Sequence, residues 1–156
     1  RTAGLVAVAL LLLYGTYRWV RRRQLISKLA SARMEIDELA SLVAAGNTPV
    51  LFDIRSHEKR KLDPFVIPGS QFADERQLEA IIAAYPRDQK MVIYCSCPNE
   101  ISAAWMAKQL NGAGFSDVLP LRGGMEAWRD SGKPVEALAH VPPPEVAVED
   151  VAPKAV

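Results

Sequence analysis

Residues Val92–Ser102 read VIYCSCPNEIS. Val92, Ile93 and Tyr94 are strand formers, and with Lys90 and Met91 before them they make a short apolar run of the kind that is buried on both faces of a sheet. The run stops at Cys95. A polar loop follows, and NEISAAWMAKQLNGAG (99–114) then carries a helical pattern that ends at Gly112 or Gly114. A strand, a tight loop and a helix in this order place Cys95 at the carboxyl edge of a strand, where parallel α/β sheets bind their ligands. Loop amides and the positive end of a helix dipole would both favour a thiolate there. Three readings of Cys95 stay open from these residues: a nucleophile, half of a redox pair with Cys97, or an inert buried thiol.

Outward from this stretch the same alternation continues. MEIDELASLVAAG (34–46) reads as a helix with Asp37 as its cap and Gly46 as its stop, and PVLFDI (49–54) as a buried strand. RSHEKRKLDP (55–64) is a charged stretch, read as a solvated run. FVIPGSQFA (65–73) is a strand interrupted by the Pro68-Gly69 turn, and DERQLEAIIAAY (74–85) is an amphipathic helix. FSDVLPL (115–121) is a further strand, followed by a Gly123-Gly124 turn and a short helix. Short strands alternating with helices predict an α/β domain with a parallel sheet and helices on both faces.

The 156 residues carry a net charge of +1, so bulk electrostatics argue against nucleic acid as a partner. Both cysteines lie in the one loop, which excludes a disulfide framework and suits a reducing compartment. Zinc would need more ligands than this loop with His57 and His140 supplies, so neither a metal nor a cofactor is expected. From Thr2 to Tyr17 no side chain is charged, and Arg18, Arg21, Arg22 and Arg23 follow. Thr2–Val20 is long enough to span a bilayer, and the arginines mark its cytoplasmic flank. The organisation expected is a transmembrane helix and basic flank (1–23), a helical connector (24–33), an α/β domain (34–138) and a disordered proline-rich tail (139–156).

Four segments in order resemble the rhodanese family: FDIRS at Phe52–Ser56, IPGS at Ile67–Ser70, the Tyr94-Cys95 pair, and LRGGMEAW at Leu121–Trp128. The resemblance implies a rhodanese-like fold and sulfurtransferase chemistry. Cys95 would take the outer sulfur of a donor such as thiosulfate, become a persulfide, and pass that sulfur to a thiol. Ser96, Cys97, Pro98, Asn99, Glu100 and Ile101 would form the substrate-binding loop, with Asp53, Arg55, Gly123 and Gly124 as structural neighbours. Rhodanese loops often read C-x-x-G-x-R-S. Here Pro98 stands at the glycine and has no amide to donate, Glu100 stands at the arginine, and Ile101 at the serine. An unpaired carboxylate at the loop would repel a dianionic donor by about 4 kcal/mol per charge pair at about 4 Å and an effective dielectric of about 20. Phosphatases of the same fold family use C-x5-R. The residue six after Cys95 is Ile101, which removes the phosphate-binding arginine.

The apolar segment, the arginine cluster and a loop reading C-S-C-P-N-E also resemble the C-terminal end of DedA-family membrane proteins fused to rhodanese domains. That implies a multispanning membrane domain as partner, an inner- or plasma-membrane location and a cytoplasmic catalytic domain. Two functions follow: a membrane-tethered sulfurtransferase, or a module that senses sulfur or redox state and regulates the attached membrane domain.

Overall fold

The computed structural model describes residues 10–20 and 32–141. Two units divide the chain, Arg1–Ala32 and Arg33–Val156. In the first, residues 10–20 are helical and exposed. Among the described residues no helix is long and apolar enough to cross a membrane. Residues 1–9 of the expected span, most of the basic flank and connector (21–31), and the expected tail from 142 onward lie outside the described residues.

The second unit begins with the bridge residue Met34. Helix α1 (Ile36–Ala44) leads to strand β1 (Val50–Asp53), helix α2 (His57–Leu62), and strands β2 (Phe65–Val66) and β3 (Gln71–Phe72). A single 3-10 turn (Glu75–Gln77) opens helix α3 (Leu78–Ala84). Strand β4 (Met91–Tyr94), a second 3-10 turn (Pro98–Glu100) and helix α4 (Ile101–Gly112) form the unit first read from sequence. Strand β5 (Val118–Pro120), helix α5 (Gly124–Asp130) and strand β6 (Glu136–Ala137) complete it.

Four strands form a parallel sheet in the order β3-β1-β4-β5. Met34 adds one parallel bridge beside Leu121. The expected single strand across Pro68-Gly69 divides instead. Its first half, β2, pairs antiparallel with β6 in a separate ribbon, and its second half, β3, joins the main sheet. The turn redirects the chain because Gly69 adopts a positive φ of 80°.

Alternation along the strands sorts the core into two layers. Met91, Ile93 and Cys95 face one side, where they pack with Phe52, Ile81, Met106 and Leu110 from β1, α3 and α4. Val92 and Tyr94 face the other, against Leu39, Met125 and Trp128 from α1 and α5. Every residue of β4 is buried, which explains its unbroken apolar run. Asp37 does not cap α1. Glu35 occupies that position without a capping hydrogen bond, and Asp37 lies in the first turn, where the helix dipole still favours its charge.

Candidate functional site

Three strands deliver their carboxyl ends to one edge of the sheet: β1 ends at Asp53, β4 at Tyr94 and β5 at Pro120. Tyr94 anchors this edge from below. Its hydroxyl donates to Ser70 Oγ at 2.9 Å and accepts from the Ile67 amide at 3.3 Å. The Tyr94-Cys95 pair and the IPGS segment, far apart in sequence, are thus joined by two hydrogen bonds inside the core.

Cys95 is 3% exposed. Its carbonyl accepts from the Met125 amide at 3.3 Å, so the first turn of α5 clamps the end of β4. This contact requires glycine at 124. Gly124 has φ of 58°, and a Cβ there would lie 2.0 Å from the Cys95 carbonyl oxygen. The amides of Cys97 and Ala103 hydrogen-bond the Cys95 sulfur, and the Cys97 thiol lies in hydrogen-bonding contact with it. Cys97 is half-buried and is held in turn by the amide and hydroxyl of Ser102 in the first turn of α4.

A thiolate-favouring cradle was expected at Cys95, and the structure reverses that expectation. Burial pushes the Cys95 thiol up, to about 12, and the contact with Cys97 adds to the rise; two amides oppose it and are outweighed. Partial burial also acts against charge at Cys97, yet hydrogen bonds from Cys95 and Ser102 overcome it and bring Cys97 below the ordinary thiol value. The loop's other amides go elsewhere. Pro98 has none, and the Glu100 amide donates to the Cys97 carbonyl at 3.1 Å. The two thiols therefore titrate as a pair with the negative charge placed first on Cys97. Limited alkylation near neutral pH is expected to mark Cys97 before Cys95, read by peptide mass spectrometry. Because the Cys95 proton is held up to about pH 12, its own labelling should rise only in strongly alkaline solution.

Glu100 does not stand unpaired at the mouth. It is 6% exposed. One carboxylate oxygen accepts from the Gly123 amide at 2.5 Å, and the other lies 2.7 Å from Arg33 Nη1. Arg33 Nη2 also donates to the Asn99 carbonyl at 3.2 Å. The repulsion expected from this carboxylate is therefore largely neutralised, and Glu100 braces the loop against the Gly123-Gly124 turn. The brace is made with Asn99 and Glu100 at φ of 59° and 50°, left-handed positions that cost non-glycine residues about 1–2 kcal/mol each. Arg33 was assigned to the connector by its sequence position. Its ion pair, 67 positions from Glu100 by their numbers (100 less 33), makes it part of the α/β unit. Arg33→Met should lower stability by about 2 kcal/mol, checked by urea unfolding, because it leaves the Glu100 carboxylate buried without its cation.

Asp53 and Arg55 are buried and serve each other. Arg55 Nη2 and Nε donate to Asp53 at 2.7 and 3.0 Å, and the guanidinium also holds the Phe65 carbonyl at 2.7 Å and the Asp63 carboxylate at 3.3 Å. Their charges tie β1 to the β2 loop. Ser96 is half-buried; Pro98, Asn99 and Ile101 are exposed on the outer rim.

The charged run after β1 is not simply solvated. Ser56 caps α2, accepting from the Lys59 amide at 3.2 Å, and the helix turns Arg60 inward. Arg60 is 6% exposed, with its guanidinium carbon 4.5 Å from the centre of the Phe72 ring. Nη1 reaches the Asp53 carbonyl at 3.4 Å, and Nε has no hydrogen-bond partner. Burial draws its pKa below the usual arginine value, but arginine keeps its charge. Arg60 lines a cleft of about 430 Å³ that also exposes Ser56, His57, Arg76, Ser102 and Trp105. Ser102 is shared between this cleft and Cys97. Nothing in the local pattern of HEKRK separates Arg60 from its neighbours; the phase of a short helix against Phe72 does. Among the described residues no group of three or more metal-ligating side chains assembles.

Comparison with known proteins agrees with this architecture. The family model for the rhodanese-like domain matches residues 35–131. Over 82 residues the chain is 37% identical to the thiosulfate sulfurtransferase GlpE of Pseudomonas fluorescens, covering 53% of this chain and 72% of that protein. A protein of unknown function from Rhodopseudomonas palustris, described as a possible tyrosine phosphatase, superposes with a TM-score of 0.60 at 30% identity, over 71% of this chain and 90% of that one. The polysulfide-sulfur transferase homodimer of Wolinella succinogenes shares the fold, with a TM-score of 0.60 at 18% identity over 78% of this chain and 90% of its own.

Proposed function

The chain belongs to the rhodanese-like family, and from that premise we propose that it is a sulfurtransferase working through a persulfide on Cys95. The observation that carries this reading is Cys95 at the end of β4, with two amides on its sulfur and a second thiol in contact. Cys97 takes the Cys95 proton as Cys95 attacks the outer sulfur of the donor. A bond forms between Cys95 Sγ and that sulfur, and the donor's S–S bond breaks. With thiosulfate the leaving group is sulfite. The amides of Cys97 and Ala103 then face an anionic persulfide, which they stabilise by charge-assisted hydrogen bonds. A thiol acceptor removes the outer sulfur and restores Cys95. Sulfite release on adding thiosulfate, together with a one-sulfur mass gain on the Cys95 peptide, tests this reading; a chain that releases no sulfite and gains no sulfur speaks against it.

The donor anion in this reading enters by the cleft beside Ser102, where Arg60, with its Nε lacking a hydrogen-bond partner, attracts it against the carboxylates Glu58, Asp74 and Glu75 of the same lining. Arg60→Gln should raise KM for thiosulfate about tenfold, about 1.4 kcal/mol of binding, with kcat little changed. Steady-state transfer to cyanide reads both constants.

We further propose that Thr2–Val20 tethers the domain to the inner or plasma membrane, with Arg21, Arg22 and Arg23 on the cytoplasmic side and a multispanning DedA-like domain of the same protein as partner. The uncharged stretch followed by arginines supports this. Membrane fractionation, with thiol labelling from each side, tests it; a protein recovered wholly in the soluble fraction would be against it. The second reading, a sulfur- or redox-sensing module acting on that membrane domain, draws its support from the contact between the two thiols.

A further inference from the structure

Two thiols in one loop are more than the transfer reaction needs. Cys95 is buried at the strand end, and Cys97 is the partly exposed member of the pair. They are separated by Ser96 alone, their sulfurs are in hydrogen-bonding contact, and each is held by different donors from the first turn of α4: Ala103 on Cys95 and Ser102 on Cys97. The Ser102 side faces the cleft. A persulfide formed on Cys95 therefore has a second sulfur nucleophile already at its inner sulfur, before any acceptor arrives.

We propose that Cys97 resolves the Cys95 persulfide, releasing hydrosulfide and closing a Cys95–Cys97 disulfide. This rests on the sulfurtransferase reading above and extends it to a second activity, the reduction of sulfane sulfur to sulfide. Cys97 received the Cys95 proton in the first step and is a thiol when the persulfide stands on Cys95. Its sulfur attacks Cys95 Sγ, the bond from Sγ to the outer sulfur breaks, and the outer sulfur leaves with the bonding pair. The Cys97 proton ends on that sulfur, giving HS⁻. The outer sulfur is reduced and the two cysteine sulfurs are oxidised, so the electrons balance within the loop. A dithiol reductant then regenerates both thiols and is itself converted to a disulfide.

Loop geometry makes the disulfide transient. Residues two apart lie at most about 7 Å apart between Cα atoms, so the pair can come within the range of about 4.4–6.8 Å found for disulfides. The bond closes a small ring in a loop where Cys97 is partly exposed, and exposed or strained disulfides are the readily reduced ones. Formation is assisted by the thiol contact already present; persistence is opposed by the ring it closes. External thiol acceptors compete with Cys97 for the same persulfide, so the ratio of transferred sulfur to released sulfide should fall as acceptor is withdrawn.

The experiment is a single turnover of the full chain with thiosulfate and no added thiol. Wild type should release sulfite and sulfide in equal amounts and finish lighter by two hydrogen atoms, with a Cys95–Cys97 crosslink in the peptide map. Cys97→Ser, lacking the proton acceptor, should release sulfite more slowly, but at completion it should have released no sulfide and should retain one extra sulfur on Cys95. Wild type that retains the extra sulfur and releases no sulfide overturns the resolving step while leaving sulfur transfer intact. Absence of sulfite from both proteins overturns sulfur transfer and the resolving step together.

Discussion

Cys95→Ser is expected to abolish sulfur transfer, lowering kcat/KM by at least about a thousandfold, which is about 4 kcal/mol of transition-state stabilisation. The hydroxyl has nearly the shape of the thiol, but it neither ionises in this site nor forms a persulfide. The loss should appear in kcat, since the cleft and Arg60 are untouched. Folding should survive. Serine puts a polar oxygen where a 3% exposed sulfur packs against Phe52, Ile93 and Ala103, yet the Cys97 and Ala103 amides remain as partners for it. A stability cost of about 1–2 kcal/mol is therefore expected. Thiosulfate kinetics and urea unfolding on one preparation separate the two effects. Retention of full activity would remove Cys95 from the mechanism.

Gly124→Ala should have the largest effect on stability, at least about 4 kcal/mol, beyond what ordinary substitutions produce. Two causes combine. The residue has φ of 58°, where a Cβ is strained, and that Cβ would lie 2.0 Å from the Cys95 carbonyl oxygen. The obstruction is main chain at the end of a buried central strand, so no side chain can swing aside. Relief requires α5 to withdraw from β4, which breaks the hydrogen bond from Met125 to Cys95 and loosens the packing of Met125 and Trp128. Thermal unfolding measures the cost. Gly46 supplies the control: it too has a positive φ, but nothing lies within 4 Å of its added Cβ. Gly46→Ala should cost only the backbone strain, about 1 kcal/mol. Equal losses at the two positions would show that the close approach to Cys95 is unimportant.

The run from Met91 to Tyr94, the loop beginning at Cys95 and the helix after it were legible because burial on both sheet faces leaves an unbroken apolar strand. The order of the sheet was not legible in these residues. Nothing local to β3 says that it crosses to pair with β1 while β2, its neighbour in sequence, joins β6. Glu100 was visible as a charge at the wrong place for an anion-binding loop. Its neutralisation was not, because Arg33 lies in another segment and meets it only when Met34 docks beside Leu121.

The alternation of strands and helices, the position of Cys95 at a strand end and the turn at Gly123-Gly124 could be read from the chain alone. These are properties of nearest neighbours: hydrophobic period, turn chemistry and chain connectivity. Which charges are buried, which thiol is the more acidic and why residue 124 must be glycine follow from the assembled fold. Arg60 turns inward because one short helix presents it to Phe72. Cys95 keeps its proton because one core layer and Cys97 bury it, while Cys97, next after Ser96, reaches Ser102. Desolvation and pairing depend on what lies across space, and residues distant along the chain supply it.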